Sequence, residues 1–177
     1  RVAYRCWQVY WAHVALFVAI AATMVALNVL FPEGRDYVGQ LNLYPFFNNP
    51  QPQLLGLLTL TYVPNYFDIL PMYLVILAMM PAMIALAGVH VALAVAASVA
   101  LWLGANVLGW SLPAEPWSER EWFFNPFGWQ LVFFTGFFLM ARLIPAPAVD
   151  WRLFWIAVAV IAVSLPFAYF RIYNEVP

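Results

Sequence analysis

Few side chains in this chain could do chemistry, and most of them stand at the ends of apolar runs. Asp68 opens the stretch Asp68-Ile-Leu-Pro-Met-Tyr-Leu74, after which no acid, lysine or arginine occurs until past Val99. A carboxylate there could line a polar cavity and orient a substrate or an arginine, or it could serve as an N-terminal residue satisfied by backbone amides. At a membrane rim both roles are open, whereas an acid deep in the hydrocarbon would point to function. His13 and His90 are the only histidines. Either could be an axial ligand to a haem or chlorin, a general base, or a rim histidine bonded to a carbonyl or water. No acid lies four residues from either, so no dyad can be read. In Trp122-Phe-Phe-Asn-Pro-Phe-Gly-Trp-Gln-Leu131, Asn125 and Gln130 put polar groups at the mouth of an apolar run. They could bind a sugar hydroxyl, and Asn125 before Pro126 also fits a helix cap. Arg142 fits an arginine snorkelling to an interface, or an anion contact.

The elements that must position these residues are membrane helices. Hydrophobic residues make up 66% of the chain and charged ones 8%, against about 25% charged in a soluble domain. So few charges cannot cover a globular surface. The uncharged run from Ile69 to Val99 exceeds the roughly 20 residues needed to cross a bilayer. Pro71 fits the first turn of a helix that starts after Asp68, and an acid there complements the helix dipole. All seven basic residues are arginine, and no polybasic segment suggests nucleic acid. Cys6 is alone, which excludes an intrachain disulfide and a cysteine metal site, and no metal site is expected.

The chain reads as one all-α domain over residues 1–177, a polytopic transmembrane bundle of about five spans with two longer extramembrane loops. The spans fall at about Trp7–Leu30, Asp68–Ala87, His90–Trp110, Phe127–Ile144 and Trp151–Phe170. Trp7, Tyr10 and Trp11 sit where interfacial aromatics are expected. Pro81 is expected to kink the second span, and Gly88 to turn tightly into the third. The third is rich in alanine, which suits close helix packing in lipid. Within loop 31–64, prolines 45, 50 and 52 bar a continuous helix, and Leu54–Leu60 suits a short interfacial one. With five spans, Arg1, Arg5, Arg142 and Arg152 share one side, and Arg35, Arg120 and Arg171 the other. That bias places the N-terminus in the cytoplasm and both long loops outside it. The opening Arg-Val-Ala-Tyr-Arg, without a methionine, reads as a portion of a longer polypeptide or as a processed terminus.

Three stretches carry a resemblance: Arg5-Cys-Trp-Gln-Val-Tyr-Trp-Ala-His13, Asp68-Ile-Leu-Pro-Met-Tyr-Leu74, and Trp122 through Leu131, with Leu-Pro-Ala-Glu-Pro-Trp117 between the last two. Their order and spacing resemble the OpgC family, polytopic proteins of the bacterial inner membrane similar to the acyltransferase-3 superfamily. The resemblance implies transfer of a succinyl group from acyl-CoA to an osmoregulated periplasmic glucan by a complete protein of about ten spans. It places the family's catalytic histidine upstream of Arg1, so it assigns no catalytic residue here; His13 corresponds to a later Trp-His segment. Asp68, Asn125 and Gln130 then become candidates for positioning substrate or base. The alternative is an inactive accessory subunit of a larger membrane complex, one that could contain pigment or haem, with His13 or His90 as the axial ligand. Partners on either reading are membrane lipid and further membrane spans, from the same protein or from other subunits, and no nucleic acid. No acyl donor, haem or chlorin is assigned a binding site by the residues alone.

Overall fold

The computed structural model describes residues 1–170, with side chains through 166. The short tail ending at Pro177, and Arg171 in the orientation count, lie outside the described residues. Eight helices run in the order α1 Val2–Leu30, α2 Tyr37–Gln40, α3 Tyr44–Asn48, α4 Pro50–Thr59, α5 Ile69–Val89, α6 Val91–Val107, α7 Pro126–Met140 and α8 Trp151–Phe170. Among the described residues there is no strand, only one isolated β-bridge between Pro113 and Glu121. The chain divides into two compact units, residues 1–138 and 139–177.

α1 contains neither glycine nor proline across its 29 residues and stops where Phe31 and Pro32 follow. At about 1.5 Å per residue it is roughly 43 Å long, more than the hydrocarbon core of about 30 Å requires. α1 and α5 are long and apolar enough to cross a membrane; α6, α7 and the Trp151–Pro166 part of α8 are shorter apolar helices. Each of the five expected spans carries a helix, and among the described residues two of these, α1 and α5, are of membrane length and hydropathy.

The first unit is organised on α5. It packs against α1 on one side and α6 on the other, and its Tyr73 ring meets Phe133 of α7 at 5.9 Å. Proline at position 71 lies in its first turn, and Pro81 is carried inside the helix. The helix also runs through Gly88; the turn into α6 falls at His90, whose backbone is extended and whose Nδ1 accepts from the Ala92 amide at 3.1 Å. The helical ladder reaches one residue pair beyond the expected glycine turn because an imidazole can cap the next helix.

The two long connections are folded. Asp36 caps α2 through the Gly39 amide and also accepts from Asn28 and Tyr44. α4 begins at Pro50 because prolines at its first positions remove only amides that lack helical partners. Leu54, Leu55 and Leu58 remain exposed on it while Leu57 is buried. Together the connections cover the inner stripe of α1: Phe17 and Ala21 join Val38, Leu43, Leu57, Tyr62, Val63, Phe67, Ala114 and Trp122 in one apolar cluster. Phe17 meets Phe46 and Phe67 edge-on at 4.9 and 5.5 Å. This cluster makes the cap a second core stacked on the membrane helices.

In the second unit, Asp150 caps α8 through the Leu153 amide at 2.8 Å, and Trp151 stacks on Phe154 with centroids 4.9 Å apart.

The end of α6 depends on Gly104. A methyl group there would stand 2.3 Å from the Trp110 indole, and the Gly104 carbonyl accepts from the Leu108 and Trp110 amides. Trp110 in turn offers its carbonyl to Asn125 Nδ2 at 2.6 Å. Gly104→Ala should therefore push Trp110 off its seat and loosen the start of α7. The expected loss is about 1–3 kcal/mol, read as a lower melting temperature in detergent.

Candidate functional site

Asp68 stands at the joint between cap and membrane helices. It occupies the N-cap position of α5 without capping it. Its Oδ2 instead accepts from the Phe124 amide at 2.8 Å, tying together segments 56 residues apart. The side chain is 3% exposed, and its Oδ1 has no hydrogen-bond partner. A buried acceptor left unpaired costs about 1–3 kcal/mol, and more if charged, so this oxygen favours any ligand that can donate to it.

Asp68 lines a cavity of about 320 Å³ together with Asn65, Tyr66, Arg120, Glu121 and Phe123. Tyr66 and Phe123 are 77% and 82% exposed, so two aromatic rings rise from the rim while the carboxylate lies at the floor. Tyr66 has φ +68, a left-handed conformation that a bulky residue adopts at a strain of about 1 kcal/mol or more. The turn is held on both sides: the Phe67 amide donates to Pro64, and the Asn65 amide to Leu41. Phe123 also borders a neighbouring cavity of about 350 Å³ with Trp102, Asn106, Asn125 and Trp129 among its walls.

Arg120 is fixed by its guanidinium tip. Nη2 donates to the Val63 carbonyl at 2.7 Å and to Glu115 at 3.0 Å, while the buried Nε has no partner. Glu115, itself buried, also accepts from Asn42 at 2.9 Å and Ser118 at 2.7 Å. Burial alone would raise the Glu115 carboxyl, but the bonds from Arg120 and Ser118, the Arg120 charge and the bond from Asn42 hold it below the ordinary range. Burial, then the Glu115 charge, push the Tyr62 phenol well up, keeping it a donor to the Asn42 carbonyl at 2.8 Å. The hairpin that presents these groups is closed by Ala114 N to Arg120 O, Trp122 N to Leu112 O and Trp122 Nε1 to Pro113 O.

The other residues singled out in the sequence are dispersed. Asn125 Oδ1 accepts from the Phe127 amide at 3.0 Å, in the manner of a helix cap, while its side chain borders the second cavity. Gln130 is fully buried. It accepts from Ser98 Oγ at 2.7 Å and donates to the Ser98 and Phe127 carbonyls, a clasp between α6 and α7. His13 is 1% exposed on the inner stripe of α1, with both ring nitrogens unpartnered. His90 is exposed at the α5–α6 joint, and no hydrogen bond links the two histidines. Arg142 is exposed with φ +54.

Tyr66, Phe123 and Arg120, which line the cavity, and Glu115, which pairs with Arg120, are not among the candidates that the sequence offers. The fairest signal for them in the sequence is aromatics set beside charges in a loop, and that pattern also suits any membrane interface.

A family model described as OpgC protein matches residues 1–177, the whole chain. No curated protein matches the chain, and no solved structure does.

The Glu115 network makes cap stability depend on pH with a definite sign. Because the folded carboxyl titrates below its unfolded value of about 4.3, its contribution is complete above that pH and is lost as pH falls through the folded value. Melting curves from pH 7 to 3 should show this acid loss, and Glu115→Gln should remove part of it. Arg120→Ala, which leaves Glu115 buried with one donor fewer, should cost about 1–3 kcal/mol at neutral pH.

Proposed function

The chain belongs to the OpgC family, and on that premise we propose that it forms part of an integral membrane acyltransferase. In this reading the protein moves a succinyl group from an acyl-CoA to a hydroxyl of a periplasmic glucan. It sits in the bacterial inner membrane as a multi-pass protein, with its cap on the periplasmic side. The single observation that carries the reading at residue level is the unpartnered Asp68 oxygen at the floor of an aromatic-walled cavity, on the polar end of a membrane-length helix.

The reaction sets clear demands. The acceptor hydroxyl gives its proton to a base while its oxygen attacks the thioester carbonyl. The tetrahedral oxyanion then collapses and expels the CoA thiolate. A base must take the proton, and donors must face the oxyanion. No residue of this chain is assigned the base. Asp68 serves as a positioning group: its free oxygen accepts from an acceptor hydroxyl and fixes which oxygen faces the donor. The cost of leaving that oxygen unpaired is relieved when the glucan binds, which turns burial of a carboxylate into selectivity for a donor group.

Asp68→Asn keeps an acceptor for the Phe124 amide but removes the negative charge. In the full-length protein it should lower succinyl transfer to glucan by about 10- to 100-fold, the loss expected for one charged hydrogen bond. Unchanged transfer would take Asp68 out of the site.

A further inference from the structure

We infer that Tyr66 and Phe123 are positioning residues whose ring faces stack on the sugar rings of a neutral oligosaccharide, along a track that runs past Phe123 from the Asp68 cavity to the Asn125 cavity. This rests on the reading of Asp68 as the acceptor site and deepens it by naming the walls and the charge preference of that site.

A pyranose has weakly polar C–H faces and hydroxyls radiating from its edge. A protein that binds it needs flat apolar surfaces above or below the ring and hydrogen-bonding groups beside it. The Asp68 cavity supplies both: exposed rings at Tyr66 and Phe123, with Asn65, Asp68 and Arg120 among the lining residues. Phe123 is shared with the second cavity, where Trp102 and Trp129 offer further rings and Asn106 and Asn125 further amides. Two adjoining cavities with one common aromatic wall suit successive sugar units better than one compact ligand.

Backbone strain supports the assignment to Tyr66. The Pro64–Phe67 turn puts Tyr66 at φ +68, a position that glycine would fill with less strain. A tyrosine there, with its ring turned out to solvent, gives up stability without gaining a buried contact. Strain of this kind gathers at ligand sites.

Charge sets the preference for an uncharged ligand. Asp68 and Glu121 line the cavity, and the one lining cation, Arg120, already serves Glu115. A neutral acceptor therefore enters without repulsion, whereas a product carrying a succinyl carboxylate meets like charge and leaves.

Binding of a short neutral gluco-oligosaccharide, and of the same sugar succinylated, to the full-length protein in detergent tests this by calorimetry. Tyr66→Ala and Phe123→Ala should each weaken binding of the neutral sugar roughly three- to tenfold, the range for an aromatic stacking contact, and raise KM more than they lower kcat. Tyr66→Phe and Phe123→Tyr should retain binding. Tyr66→Gly should melt no lower than the parent while binding as poorly as Tyr66→Ala, which separates loss of the ring from loss of fold. The succinylated sugar should bind more weakly than the neutral one, with the gap narrowing in high salt. Alanine variants that bind the neutral sugar as the parent does, or a succinylated sugar that binds equally well, would overturn the subsite. Transfer that persists with unchanged KM in both alanine variants would sink the subsite and leave the acyltransferase reading standing. Sugar binding lost in those variants, in a protein that transfers no succinyl group, would do the reverse.

Discussion

The 2.8 Å bond from the Phe124 amide to Asp68 Oδ2 is the constraint on which the rest of the arrangement turns. It joins the first residue before a membrane-length helix to a loop that returns after two further passes of chain. With the bond from Arg120 Nη2 to the Val63 carbonyl, it sets Phe123 and Arg120 beside Asp68 around one cavity. The bond also uses only one carboxylate oxygen, which leaves the second buried and unpartnered. One residue thus supplies the structural tie and a buried acceptor without a partner.

The cap keeps that tie in place because it has its own core. Phe17 and Ala21 continue the inner stripe of α1 into the cluster around Tyr62, Val63 and Trp122. A short cap of irregular backbone has to satisfy its polar groups locally: Arg120, itself paired with Glu115, donates to the Val63 carbonyl, and the Tyr62 hydroxyl donates to the carbonyl of Asn42, whose side chain donates to Glu115. The same network holds the Arg120 guanidinium tip, so the charge balance of the cavity follows from how the loop is stabilised.

The membrane character and the entrance of α5 were legible in the sequence because both depend on local signals: the absence of charge over a long run, and an acid followed by a proline in the first turn. Asn125 before Pro126 was legible for the same reason. The cavity was not, since its walls come from residues 65–68 and 120–123, and nothing local pairs them. Gln130 stood out in the sequence as a polar group at a helix mouth, but its partner Ser98 did not, and only helix packing brings the two together at 2.7 Å. Gly88 suggested a turn on propensity, yet the turn fell at His90, where a side chain could cap the next helix. Apolar composition marked five segments, and each carries an apolar helix, with α1 and α5 long and apolar enough to cross a membrane.

Side-specific labelling tests whether α5 crosses the bilayer with Asp68 at its outer mouth. In a Cys6→Ser background, Ser118→Cys reports on the cap and Gly88→Cys on the opposite end of α5. In intact cells a membrane-impermeant maleimide should label Ser118→Cys, and should reach Gly88→Cys only after the membrane is opened. Labelling of both from the same side, or of Gly88→Cys alone, would contradict the account.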